Sequence, residues 1–485
     1  MRVDRLPPVK VPRRQTGDEF DLVVIGMGSA GILAAEFAAH DLGLRVAAVD
    51  RSRFGGDCLW TGCVPSKALL ASARVAHTVR NAALFGVHVG EPTIDLDAVW
   101  RRIAAVQAEI ARTDDDPERF RDLGVEVIEG EAVVTGPREV TVGDRVLRTR
   151  YTLVCTGSRP FIPPIDGIAD IDILTSENLF EIERPPESLI VVGGGPMACE
   201  TSQALQRLGV AVTMIQRGGR LLPKDLPDHG DLLAKILRAE GVDIRLGSPA
   251  VKVRRGGDGV EVWSEAGEKV TAAGILVATG RTPNAHSLGL DRLGIEITER
   301  GITVDERNQT MVPTIYAVGD VTGRALFTNA AAYDAVLAVR DMFLPGKGTP
   351  PTLVPWCTFT DPEVAHVGLT EAEAVERHGR RKTAVHRRSV ATSDRARTDG
   401  VTEGEIVVVT VGGRIAGGHA ICPHAGELIH ELALAARARL KLSNLAESMH
   451  VYPTYSTVTG QIAGDHAFHT AHRVRALAKA GRVLG

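Results

Sequence analysis

The chain has 485 residues, 44% apolar and 24% charged, with a formal net charge of −4. That length is enough for several domains with large cores, in an ordinary globular composition. The slight acidity, with no aromatic-studded basic stripe, excludes a nucleic-acid-binding surface, and no apolar run reaches membrane-spanning length.

Residues 1–18, with Pro7, Pro8, Pro12, Arg13 and Arg14, lack the apolar stretch of a signal peptide and read as a disordered basic tail. The cytoplasm is the expected location. Residues 21–26 then form an apolar strand that runs into Gly26-Met27-Gly28-Ser29-Ala30-Gly31 and an alanine-rich helix. A second strand over 45–49 ends at Asp50. Strand, glycine turn, helix, strand and acid are the setting a dinucleotide requires. Gly26 makes the turn, Gly28 lets the backbone approach a pyrophosphate, and Gly31 allows close helix packing. The helix N-terminus then faces the phosphates, and Asp50 accepts from the adenosine ribose.

The next stretch, 55–67, places Cys58 and Cys63 among Gly55, Gly56 and Gly62, with Pro65 following. In a regular helix, residues five apart project from different faces, so no disulfide would close. The glycines free the backbone from that geometry and leave two readings open, a Cys58–Cys63 bond or two free thiols in a loop. Pro65 suits a first helical turn, where a cysteine feels the positive end of the dipole and loses its proton more readily. The other cysteines, Cys155, Cys199, Cys357 and Cys422, are too scattered for a secreted disulfide framework and read as buried core thiols. Helices are expected over 66–85 and 96–123, the latter with Ile103, Val106 and Ile110 on its apolar face. Short strands follow over 124–150, ending in a turn with Thr156, Gly157 and Ser158.

A second copy of the nucleotide pattern begins at Ser188, with Gly193, Gly195, Met197 and Ala198 in its turn. Aligning the copies on Leu42-Gly43 and Leu208-Gly209 puts Gln216 where Asp50 stands. An acid there would hold the ribose of NADH and repel a 2′-phosphate. Gln216 carries no charge, and Arg217 and Arg220 just beyond it favour a phosphate. NADPH is therefore expected ahead of NADH. Residues 278–284, with Gly280 and Arg281, resemble the earlier turn at 155–158. Gly319 and Asp320 close an apolar strand, and Phe327, Thr328 and Ala330 open another helix. A Pro/Gly-rich linker over 344–351 leads to alternating strands, such as 406–411, and a helix over 426–438.

These motifs, in this order, resemble the class I pyridine nucleotide–disulfide oxidoreductases over about residues 20–464, with the wording of 57–67 nearest the mercuric-reductase-like branch. The resemblance implies an α/β fold with two Rossmann-like nucleotide-binding domains and a C-terminal α+β dimerisation domain. The flavin domain is expected over 19–165 and 281–345, the NAD(P)H domain over 166–280 and the dimerisation domain over 351–485. The first site would hold FAD against Gly26, Gly28, Ser29, Gly31, Asp50, Arg51, Gly56, Cys58, Lys67 and Ala132. Thr156, Gly157, Ser158, Arg281, Gly319, Asp320, Phe327, Thr328 and Ala330 would complete it. Gly193, Gly195, Met197, Gln216, Arg217, Arg220 and Gly280 would hold the pyridine nucleotide. Reducing equivalents would pass through FAD to a Cys58–Cys63 disulfide, with Cys63 nearest the flavin and Cys58 facing substrate. Lys67 and Glu200 would form a charge pair beside it, and the active unit would be a homodimer.

The C-terminal segment departs from that pattern. Disulfide-reducing members carry His-Pro-Thr-x-x-Glu, whereas here Tyr452 stands at the histidine position and Thr457 at the glutamate. A phenol with a pKa near ~10 is a poor base at neutral pH. Mercuric reductases share the tyrosine, but their C-terminal cysteine pair is missing, since no cysteine follows Cys422. His450 reads as a packing residue, and His466, His469 and His472 as solvated histidines rather than a metal site. The expected activity is electron transfer from NADPH to a small acceptor: a soft metal ion, a quinone or other electrophile, or a small disulfide. The alternative is a redox-sensing or complex-associated flavoprotein resembling a lipoamide dehydrogenase subunit, with little turnover of its own.

Overall fold

The computed structural model describes residues 18–257, 259–346 and 353–468. The expected tail up to residue 17, part of the 344–351 linker, and His469 and His472 lie outside the described residues.

The strands Glu19–Ile25 and Val46–Asp50 are apolar on both faces because both faces are covered. Leu22, Val24, Val46 and Ala48 enter one core cluster, and Val23, Ile25, Ala47 and Val49 enter another on the opposite face. These strands join a seven-stranded sheet in the order Glu126–Glu129, Val46–Asp50, Glu19–Ile25, Arg145–Val154, Glu139–Val142, Ala132–Gly136. Ile315–Ala317 returns late in the chain to pair in parallel with Arg145–Val154. The neighbours Glu126–Glu129, Val46–Asp50, Glu19–Ile25 and Arg145–Val154 run parallel, and the last three strands form an antiparallel meander.

The same plan recurs in a parallel sheet ordered Asp243–Leu246, Ala211–Gln216, Ser188–Val192, Gly274–Val277, beside a three-stranded antiparallel sheet over Ala250–Ala272. Again the faces alternate, with Leu189 and Val191 in one cluster and Ile190 and Val192 in another. A five-stranded antiparallel sheet, with the helix Ala425–Arg437 against it, forms the C-terminal part. Mixed α/β architecture agrees with the fold class expected from the motifs.

Two helices are shorter than their periodicity predicts. The 96–123 helix breaks into Leu96–Thr113 and Pro117–Asp122, because Pro117 has no N–H to donate and the Asp116 carboxylate caps the Glu118 N–H at 2.9 Å. The 66–85 helix spans Cys63–Arg80, where Asn81 Nδ2 donates to the His77 carbonyl at 2.9 Å, and a 3-10 turn Ala82–Phe85 follows. The helix Cys63–Arg80 buries Leu69, Ala73 and Ala76 in the cluster that holds Leu189, Leu205 and Val212. It therefore ties the cysteine stretch to the second nucleotide-type sheet.

Candidate functional site

The first glycine turn opens on a cavity of about 600 Å³. Its walls include Gly26, Gly28, Ser29, Asp50, Arg51, Gly56, Cys58 and Ala132. Thr156, Gly157, Ser158, Gly319, Asp320 and Thr328 line it as well. Gly26 has φ +96°, and a Cβ there would meet the Cys155 carbonyl oxygen at 2.6 Å. A Cβ on Gly56 would come within 2.7 Å of Gly28 Cα. The two chain segments thus touch through bare backbone, at the start of the eight-residue helix Ser29–Glu36. A glycine-walled cradle at a helix N-terminus fits the diphosphate of a dinucleotide. Asp50 accepts from the Met27 N–H at 2.6 Å and the Ser52 N–H at 2.9 Å, which pins the turn to the end of the second strand.

Some predicted residues stand behind the wall rather than in it. Gly31 belongs to helix packing, since a Cβ there would sit 1.9 Å from the Gly26 oxygen. Ala330 is buried, and helical rotation brings Ala331 to the cavity instead. Phe327 precedes the helix Thr328–Phe343 and stacks on Trp356 with ring centroids 5.6 Å apart. Arg281 pairs with Asp57 and with Asp320 at 3.4 Å. Sequence reading missed Asp57, Asn284 and His286 on the wall. Asn284 accepts from Thr156 Oγ1 through its carbonyl at 2.8 Å, a contact spanning 128 residues that no local pattern encodes.

Cys58 also lines the cavity, while Cys63 begins the helix Cys63–Arg80 and is exposed, its Sγ 3.3 Å from Thr328 Oγ1. Both are free thiols in this structure, close enough for Cys58 to hydrogen-bond the Cys63 sulfur. That bond, followed by the Thr328 hydroxyl and the Lys67 charge, brings Cys63 down to about 6, against the opposing effect of the protein packed around its sulfur although the residue as a whole is exposed. Cys58 moves up, through the same bond and through burial. Lys67 Nζ donates to Glu200 Oε2 at 2.9 Å, and Glu200 Oε1 accepts from the Phe359 N–H at 2.9 Å. Gln107, a polar residue on an otherwise apolar stripe, fixes the preceding turn by donating to the carbonyls of Leu59 at 3.0 Å and Trp60 at 2.8 Å. Its buried polarity was the signal for this support. Of the other cysteines, Cys155, Cys199 and Cys422 are buried as expected, whereas Cys357 is only partly so. It comes close enough to feel the charges of Glu200 and Lys67.

The second glycine turn repeats the first. Gly193 has φ +137°, and a Cβ there would meet the Ala278 carbonyl oxygen at 2.3 Å. Gly195 precedes the helix Pro196–Arg207, Met197 lies in its first turn, and Gly280 takes φ +141°. Gln216 is buried, lies over Gly194 and Gly218, and donates to the Arg220 carbonyl at 3.3 Å. Arg217 is exposed, and Arg220 donates to the Pro223 carbonyl at 3.0 Å.

Tyr452 is 69% exposed and donates to Asp394 Oδ2 at 2.5 Å, a bond that raises its own pKa further. It makes no bond to either redox-stretch cysteine within one chain. Met449, Val451 and Leu434 are also exposed. His450 is packed as expected, its ring between Glu431 Oε1 at 2.9 Å and the Ser448 carbonyl at 3.2 Å. The His466 ring meets the His386 ring edge-on, centroids 4.9 Å apart. Among the described residues, no group of three or more His, Cys, Asp or Glu side chains could hold a metal ion, and no helix is long and apolar enough to cross a membrane.

Comparison with known proteins agrees with this geometry. The chain is 35% identical over 446 residues to a glutathione reductase of Burkholderia cepacia, covering 90% of this chain and 96% of that one. It is 34% identical over 453 residues to a mercuric reductase of Streptomyces lividans, covering 90% and 94%. The crystal structure of LpdA from Mycobacterium tuberculosis superposes with a TM-score of 0.83 at 30% identity, over 92% of this chain and 99% of that one. Residues 20–335 match the family described as pyridine nucleotide-disulphide oxidoreductase, and residues 354–462 match its dimerisation domain. The chain belongs to the pyridine nucleotide–disulphide oxidoreductases, flavoprotein oxidoreductases that use FAD and a pyridine nucleotide.

Proposed function

We propose that the chain works as a homodimer that passes electrons from NADPH through FAD to the Cys58–Cys63 pair and on to a small acceptor. The observation that carries this reading is Cys63. Its thiol is lowered to about 6 by the bond from Cys58, and it touches Thr328 on the wall of the glycine-lined cavity. FAD, when bound, supplies two-electron chemistry between a nicotinamide and a dithiol. Gly26, Gly28, Gly56, Asp50, Ser158 and Asp320 would hold it. Lys67, held by Glu200, lowers the Cys63 thiol by its charge, while the Glu200 carboxylate opposes it. Cys63 is poised as a thiolate at neutral pH, and Cys58 keeps its proton until it meets the acceptor. When the Cys58–Cys63 bond re-forms, two electrons leave to the acceptor, and the one proton held on Cys58 goes to it or to solvent. The neutral Gln216, with Arg217 and Arg220 beside it, supports NADPH.

Tyr452 bears on the acceptor. In the dimer it would border the partner's cysteines, where a phenol already committed to Asp394 cannot shuttle a proton to a leaving thiol. A soft metal ion or an electrophile needs no such shuttle, because the thiolates bind it directly. The relatives do not choose among acceptors, since those named for glutathione and for mercury are equally similar. Steady-state assays of Cys58→Ser test the route. Reduction of a soft metal ion or a small disulfide should collapse at least about a hundredfold, as for a lost nucleophile. Full retention of that activity in the variant would remove the thiols from the path, and a quinone reduced directly by the flavin would take their place.

A further inference from the structure

Several charged residues line the cavity, and one of them, Asp57, directly follows the glycine that packs on the first turn. Asp57, between Gly56 and Cys58, lines the cavity, and its side chain is 46% exposed. Its carboxylate pairs with Arg281, which also stands 3.4 Å from Asp320 and donates to Ser158 Oγ at 2.5 Å and to the Ser158 carbonyl at 2.9 Å. Asp320 in turn accepts from Ser158 Oγ at 2.6 Å. One guanidinium thus serves two carboxylates, and the cluster is one negative charge in excess. Asp57 is also one residue from Gly56, which lies against Gly28 at the N-terminus of the helix Ser29–Glu36. A diphosphate held by that helix would bring its own negative charges beside Asp57.

The groups that face Asp57 are Arg281 from the strand Arg281–Pro283, Asp320 from the 3-10 turn Gly319–Thr322, and the Thr61 hydroxyl from its own segment. Burial raises its carboxyl above the usual range, Asp320 adds to the rise, and Arg281 and Thr61 oppose it. An incoming diphosphate competes for the same guanidinium by the same charge-assisted bonds, and repels a carboxylate left beside it.

We propose that Asp57 and the FAD diphosphate compete for Arg281, so that cofactor binding draws one proton from solvent onto the Asp57 carboxylate. The inference rests on the reading of this cavity as the FAD site. Asp57 is then a positioning residue that sets how firmly the cofactor is held as a function of pH. The bound form has the higher Asp57 pKa, so affinity is greatest at low pH. It falls as pH rises from the free-protein value towards the bound-protein value, by at most tenfold per pH unit.

Flavin fluorescence after dilution of the purified holoenzyme follows FAD release directly. As pH is raised, release from the wild type should accelerate, by at most tenfold per pH unit over the interval between the free-protein and bound-protein values, by that linkage. Asp57→Asn and Asp57→Thr should release FAD more slowly at the alkaline end and show a flat profile. A flat wild-type profile overturns the proposal whether or not either variant folds, and so does an equal slope in wild type and variant. A protein that purifies without FAD and takes none up would instead overturn the reading of the cavity.

Discussion

The two glycine turns are built on one plan, and two of the positions at which they differ carry the comparison. In the first, a Cβ at Gly31 would strike the Gly26 oxygen at 1.9 Å; in the second, the corresponding Ala198 is fully buried with its methyl accommodated. In the first, Asp50 reaches back to the Met27 N–H; in the second, Gln216 lies over Gly194 and holds the Arg220 carbonyl instead. The first turn is wound as tightly as backbone allows and ends in a charge. The second is looser and ends in a neutral amide. The difference fits one site that keeps its cofactor and another that exchanges its own.

Gly31→Ala is the strongest way to break the comparison. Overpacking against backbone costs up to about 3 kcal/mol, so thermal unfolding should move sharply down and bound flavin should be lost. Gln216→Glu comes next, since it restores a charge to the second turn without changing its size. The KM for NADPH should rise about tenfold, the loss of roughly one charge-assisted bond, while NADH is used as well or better and flavin content holds. An unchanged NADPH preference would move the discrimination to Arg217 and Arg220.

A smaller effect is expected at Lys67, whose charge helps to hold Cys63 near 6. In the reduced enzyme, alkylation of Cys63 should rise with pH through that value, because the thiolate is the reactive form. Lys67→Met should move the midpoint upward by up to about one unit, since a cation that favours the thiolate has gone. The smallest change is Ala198→Gly, which should cost about 1 kcal/mol of stability from helix propensity and a lost methyl, with nucleotide use intact.

The motifs made the two turns and the cysteine stretch readable, and alternation made strands such as 406–411 readable, because spacing and alternation are local. Gly26 and Gly31 show in the structure the tight turn and the close helix packing expected of them. What could not be read joins distant parts of the chain. Gly28 meets Gly56, Cys63 meets Thr328, and Arg281 bridges Asp57 and Asp320. The break before Pro117 was visible as a proline but was overridden by the apolar stripe on either side of it. The exposed Tyr452 shows what one chain leaves out, since the place proposed for it beside a partner's cysteines depends on a second copy.

An anaerobic reductive titration with NADPH tests the central claim most directly. A long-wavelength absorption band should grow to completion with two electrons, persist above about pH 6 where Cys63 is a thiolate, and be absent in Cys63→Ser. Bleaching of the flavin without that band in the wild-type protein would contradict the account, because it would leave the cysteine pair out of redox contact with the cofactor.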